Sequence, residues 1–349
     1  MMQITGHDAI ADRFRQAIAR DRLASTFLFV GPPGIGKRSF AQFLAQTLLC
    51  DQAPPALLRP CGHCPACVQV QAGSHPDLHV VGKPADKNQL PLELLIGDDK
   101  HRMRAGLCYD ISLRPFSGKR KIAIIDDADF LNEEGANCLL KTLEEPAKGS
   151  VLILIGTSEQ RQLPTIRSRC QIVRFAPLTE DQVAALLRSQ QICRDDQAAH
   201  RAAALSGGSL ERAVAWSDEQ FLEFREELLG RLADREFELL ATAKRVVAFV
   251  EAAGKEAATK RDRMKEVLAM CGDFYRALLR AMSGGEWNGD EALVRAVAQT
   301  VRWWRGGPES AAACLDACLL AQSHVESNAA MPSLTEWWLD ELGQLARGG

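Results

Sequence analysis

The sequence predicts an α/β core, a parallel sheet with flanking helices, that carries a small cysteine-rich insertion and is followed by helices alone. Over the first two hundred residues, short β-branched or aromatic runs alternate with helical patterns, as strands and crossover helices of a parallel sheet do. Four of the 11 cysteines crowd between positions 50 and 67. Beyond Pro177 strand signals stop and helical periodicity takes over.

Ile10, Phe14 and Ile18, four apart, place one apolar face on an opening helix. Phe27–Val30 reads as a buried strand, a Gly-Pro loop follows at 31–36, and Phe40, Phe43, Leu44 and Leu48 share one stripe of the next helix. Further strands are expected at Leu78–Val81, Ile122–Ile125, Val151–Ile155 and Gln171–Phe175. Between the middle two, Ala136, Leu139, Leu140 and Leu143 mark an amphipathic helix that Pro146 ends. Thr179 and Gln182 form a capping-box start for a helix carrying Val183, Leu186 and Leu187. The charged stretch Lys255–Lys265 reads as a solvated helix face. Trp303, Trp304, Trp337 and Trp338 read mainly as core, with contact to a partner as the lesser alternative.

With 349 residues the chain is expected to form two or three compact units. Lys plus Arg against Asp plus Glu is 42 − 45 = −3, so no strong field gathers nucleic acid or acidic lipid, and any nucleic-acid role must be local or delegated to partners. The N-terminal acids Asp8 and Asp12 do not suit a secretory signal, and no aliphatic run approaches the roughly 18 residues that span a bilayer. The expected location is cytoplasmic, without a membrane partner. There, clustered cysteines read as metal ligands rather than disulfides.

Gly31-Pro-Pro-Gly34-Ile-Gly36-Lys37-Arg38 fits the spacing of a phosphate loop between strand and helix, where glycines let backbone N–H groups wrap phosphates and a lysine adds charge. The residue after the lysine should be Ser or Thr to hold magnesium; here it is Arg38. A turn that holds no nucleotide is the equally weighted alternative. Ile122–Ile125 runs into Asp126, Asp127 and Asp129, an apolar strand delivering carboxylates to the sheet's C-terminal edge. A working ATPase normally has Glu as the second acid; Asp127 is one methylene shorter.

Cys50, Cys61, Cys64 and Cys67 supply two overlapping C-x-x-C turns and a fourth thiolate one loop away, which suits a structural tetrahedral zinc. His63 is expected to face solvent rather than replace a cysteine, and a redox pair is the minor alternative. Arg167 and Arg169 flank Ser168 just before Cys170 and could project a guanidinium toward a neighbour, although such arginines are commonly surface charges.

Taken in this order, the phosphate loop, four-cysteine insertion, Asp-Asp strand, Cys138-Leu-Leu-Lys-Thr-Leu-Glu-Glu-Pro146 helix and Ser168-Arg169-Cys170 triplet resemble the clamp-loader branch of the AAA+ superfamily. The resemblance covers residues 1 to about 215. It implies an AAA+ nucleotide-binding-like core over 1–176 with a zinc module at about 50–75, a helical lid over 177–215 and a helical collar for oligomerisation over 216–349.

The departures decide which kind of clamp-loader subunit is expected. A gamma/tau-type ATPase motor would keep Ser or Thr after the loop lysine, Glu after the first acid and arginine in a Gly-Ser-x-Arg setting; here stand Arg38, Asp127 and Gly208-Ser209-Leu210-Glu211. The resemblance therefore implies a largely non-hydrolysing stator in the DNA polymerase III assembly. Its expected partners are gamma/tau and delta subunits in a five-membered ring, with the sliding clamp and primed DNA reached through the complex. Arg169 would be a finger in trans to the neighbour's ATP; Gly31, Gly34, Gly36, Lys37 and Asp126 would form a degenerate ATP site. A gamma/tau-type motor is the alternative, and a stand-alone zinc-stabilised nucleic-acid binder a weaker one.

Overall fold

The computed structural model describes residues 4–84, 87–117 and 119–346. It comprises two units, Met1–Val214 and Ala215–Gly349.

In the first unit the chain runs α1 (Asp8–Ala19), β1 (Thr26–Val30), α2 (Lys37–Leu49), α3 (Pro65–Gln71), β2 (Leu78–Val81), α4 (Leu92–Ile96), α5 (Leu107–Ser112), β3 (Lys121–Ile125), α6 (Glu133–Glu144), β4 (Ser150–Gly156), α7 (Pro164–Arg167) and β5 (Gln171–Arg174). Helices α8 (Glu180–Ser189), α9 (Asp196–Ser206) and α10 (Leu210–Trp216) follow. All five expected strands form, in the order β2-β3-β4-β1-β5, and every pair is parallel.

β1, β3 and β4 are buried along their whole length, which is why they read as unbroken apolar runs. Their side chains alternate between two cores. Phe27, Phe29, Ile122, Ile124, Val151 and Ile153 pack with Phe14 of α1 and Phe40 and Leu44 of α2. Leu28, Val30, Ala123, Ile125, Leu152 and Leu154 pack with Leu95, Ile111, Leu139 and Ile166 on the opposite face. Because the strands are parallel, the loops that follow β1, β3 and β4 lie on one edge, the edge where open α/β sheets build sites.

α8 begins with the expected capping box, Thr179 with Gln182. Among the described residues no strand follows β5.

The second unit holds α11 (Glu219–Leu232), α12 (Leu239–Glu251), α13 (Ala257–Met282), α14 (Glu291–Val301), α15 (Gly307–Glu326) and α16 (Met331–Ala346). Cys271, Phe274, Leu278, Cys314, Cys318 and Trp338 are buried there. Trp304 is buried as well, and Trp303 donates to the Ala233 carbonyl at 3.0 Å; Trp337 alone of the two pairs is exposed. The 255–265 stretch departs from a purely solvated face: Arg263 lies 5.0 Å from the Phe221 ring and 4.9 Å from Phe249. A guanidinium stacks on aromatic faces at little desolvation cost, and charge counting alone misses this.

Candidate functional site

The turn between β1 and α2 is built by glycines. Gly34 has φ +72° and Gly36, at the N-cap of α2, φ +95°, conformations a side chain would strain. His7 donates from Nε2 to the Ile35 carbonyl at 2.7 Å and packs edge-on against Phe175, fixing the turn from beneath. Lys37, buried, donates from Nζ to the carbonyls of Gly31 (2.6 Å) and Pro32 (2.5 Å). Burial lowers its pKa, against the opposing pull of Asp129, Asp126 and Glu211.

Arg38, the residue standing where a magnesium hydroxyl is expected, reaches across the edge and pairs with Asp126 at 3.1 Å. A largely exposed guanidinium thus lies against the carboxylate that follows β3. Asp127 sits in the left-handed region at φ +57° and accepts from the Lys83 amide at 3.3 Å. Burial, reinforced by the charge of Asp126, raises its pKa. Asp129 is spent on structure: it accepts from the Thr157 amide (2.8 Å) and hydroxyl (2.6 Å), and from the Gln162 amide group, so it ties the ends of β3 and β4 together.

The segment before α10 closes on the same turn. The Leu210 amide donates to the Gly34 carbonyl at 2.9 Å, and a Cβ on Gly34 would sit 2.1 Å from the Ser209 hydroxyl oxygen. Gly34 is therefore needed twice, for its backbone and for this approach. The sequence marked Gly208-Ser209 only as a departure from a motor's Gly-Ser-x-Arg setting and carried no signal of this contact.

The four cysteines converge in the insertion. Cys50 ends α2, Cys61 lies in the following loop, Cys64 caps α3 and Cys67 is in its first turn. Their sulfurs all lie within 4.8 Å of one another, with Cys50–Cys64 at 4.0 Å and Cys61–Cys67 at 3.9 Å. Metal–sulfur bonds of about 2.3 Å in a tetrahedron demand sulfur separations of about 3.8 Å, so the donor set fits a tetrahedral thiophilic ion. Backbone amides of Asp51, Ala53, Cys61, Cys64 and Cys67 all point at these sulfurs. For Cys50 burial opposes ionisation, but the amides of Cys61, Ala53 and Gln52 outweigh it and bring the thiol down to about 6. Burial pushes Cys67 the other way. His63 is exposed, bonded to the Cys61 carbonyl at 2.9 Å and outside the sulfur cluster. Lys119 ties the module to the core, donating to the Cys50 carbonyl (2.7 Å) and Asp51 (2.8 Å).

Arg169 lies between α7 and β5, half-buried, with Nε donating to Glu144 at 2.7 Å and Nη1 to the Thr165 carbonyl (3.0 Å) and the Ser168 hydroxyl (3.1 Å). Its own carbonyl accepts from the Thr26 hydroxyl at 2.8 Å, anchoring the loop to β1. Cys170 is raised to about 12 by burial, as a packed thiol is. Arg167 is exposed, and its side chain donates to the Glu159 carbonyl at 3.4 Å.

Residues 6–179 match the family described as DNA polymerase III, delta subunit. The chain is 38% identical over 151 residues to DNA polymerase III subunit delta' of Pseudomonas aeruginosa, covering 43% of each chain. Through this α/β domain the chain is similar to delta' subunits of DNA polymerase III. It is also 32% identical over 216 residues to the delta' subunit of Bacillus subtilis, covering 61% of this chain and 60% of that one. Similarity extends to DNA polymerase III subunit gamma/tau of Mycobacterium bovis, 31% over 194 residues, but covers only 31% of that longer protein. The matches thus span about half the length of the delta-prime relatives. Among the described residues no helix is long and apolar enough to cross a membrane.

Proposed function

We propose that the chain is a delta-prime-type subunit of the DNA polymerase III clamp loader, a stator that does not itself turn over ATP. One observation carries this reading: the Arg38–Asp126 ion pair at 3.1 Å, which puts a protein cation on the acid that a motor would reserve for magnesium. Lys37 on its own loop's carbonyls and Asp127 with a raised pKa point the same way. With a guanidinium on the first acid and a second acid whose burial opposes ionisation, the geometry is poorly suited to polarise an attacking water.

In this reading Cys50, Cys61, Cys64 and Cys67 hold a structural zinc, since four thiolates leave no open coordination position. Residues 177–215 act as a lid and 216–349 as a collar that assembles with gamma/tau and delta subunits in a five-membered ring. The sliding clamp and primed DNA are reached through that ring, in the cytoplasm. Arg169 is offered in trans to the terminal phosphate of ATP on the neighbouring subunit, where a planar, permanent cation neutralises charge that develops in phosphoryl transfer.

The discriminating experiment is an ATPase assay on the isolated chain. Absence of turnover is expected; magnesium-dependent turnover would replace this reading with that of a gamma/tau-type motor.

A further inference from the structure

Glu144 is the last residue of α6 and Glu145 follows it. Carboxylates at a helix C-terminus oppose the macrodipole, so two in succession call for a compensating contact. Glu144 has one: its Oε1 accepts from Nε of Arg169 at 2.7 Å and pairs with Nη2 as well. The Thr165 carbonyl and Ser168 hydroxyl take the Nη1 side. The guanidinium is consequently gripped along one edge and at one end by three elements, α6, α7 and the turn leading to β5. Arg167, two residues earlier, donates instead to the Glu159 carbonyl, at 3.4 Å.

We propose that Glu144 is a positioning residue for Arg169, fixing the plane and direction in which the one remaining N–H, on Nη2, is presented to an anion on a neighbouring subunit. This inference rests on the trans-finger reading above. A side chain with four flexible torsions carries a large rotamer entropy, and a finger already held in its working orientation loses less of it on meeting the phosphate.

The test uses the reconstituted clamp-loader complex and its DNA-stimulated ATPase. Glu144→Ala is expected to lower kcat about tenfold to a hundredfold, the loss typical of a reacting group displaced by about 1 Å, with KM for ATP little changed. Glu144→Gln keeps an oxygen acceptor at the same reach and is expected to recover most of the lost rate. The double variant Glu144→Ala with Arg169→Ala should be no slower than Arg169→Ala alone, because Glu144 acts only through the arginine. If Arg169→Ala slows the complex but Glu144→Ala does not, or if the double variant is further impaired, the positioning role fails and the finger stands. If Arg169→Ala leaves the rate unchanged, the finger reading itself falls.

Discussion

Replacing Cys64 and Cys67 together by alanine removes the two most deeply buried ligands of the proposed zinc, 1% and 0% exposed. The insertion's own buried cluster is Cys50, Cys64, Ala66 and Cys67; beyond it, Leu58 and Val70 reach into the core of the sheet and Gln46 donates to the Cys67 carbonyl at 3.1 Å. Structural zinc contributes roughly 10 kcal/mol or more at neutral pH in small domains. If tethering through Lys119 and α2 preserves half of that order, about 5 kcal/mol is still lost, more than a thousandfold in the local opening equilibrium. The backbone amides of Ala53 and Cys61, which donate to the retained Cys50 sulfur, report that opening directly. Hydrogen exchange should therefore accelerate at least a thousandfold around the four ligand positions while amides of β3 and β4 keep their protection, since those strands are held by sheet pairing and by apolar residues outside the cysteine cluster. Elemental analysis should fall from one zinc per chain to none. Full zinc retention in the double variant, or no zinc in wild-type protein purified without chelator, would refute the assignment.

Lys37→Ala should scarcely change clamp loading by the complex, because the lysine serves its own loop; a large loss, together with measurable ATP affinity of the isolated chain, would contradict the stator reading. Arg169→Ala should reduce the complex's ATPase on the order of a thousandfold with folding, zinc and assembly intact. Arg169→Lys should rescue only part, as an ammonium lacks the planar fork, and Arg167→Ala should behave like wild type. Asp77, fully buried, feels burial as its largest influence, yet the Ser117 hydroxyl and the amides of Ser117 and Phe116 prevail and lower its pKa. A native carboxyl below its ordinary value stabilises above the ordinary pKa of about 4 and loses that contribution as pH falls through the native value. Asp77→Asn should cost about 2–3 kcal/mol at pH 7 by urea titration and progressively less below pH 4; an equal cost at both pH values would contradict the ionised assignment.

The sheet was legible because each buried strand announces itself as an apolar run of fixed length, and the observed strand boundaries differ from the expected ones by only a residue or two at either end. The sulfur cluster was equally legible, since short loops force C-x-x-C ligands together whatever the rest of the chain does. What spacing could not show is who partners whom across the fold. Arg38 and Asp126 are 88 positions apart, and their pairing depends on β1 and β3 lying on either side of β4. Glu144 and Arg169, or Leu210 and Gly34, are likewise joined only by topology. Charge counting missed Arg263 for a different reason, because ring stacking depends on side-chain direction rather than on composition.

Arg38 and Asp127 are two departures in sequence and one change in physics. A magnesium ion near Asp126 would favour the ionised form of a second acid beside it with two charges, whereas the arginine pairs with Asp126 and brings only one, whose pull on Asp127 is weaker than burial and the charge of Asp126. Asp127 is then left with burial and a neighbouring carboxylate, both of which raise its pKa, and only the Lys83 amide and more distant cations resist. On the stator reading, with a guanidinium already on Asp126, a longer second acid at position 127 has no metal beside it to work with. Restoring one position alone should accordingly restore nothing: Asp127→Glu in the presence of Arg38 is expected to leave the isolated chain without turnover, and ATP hydrolysis appearing in that single variant would show that the guanidinium does not block the metal's place.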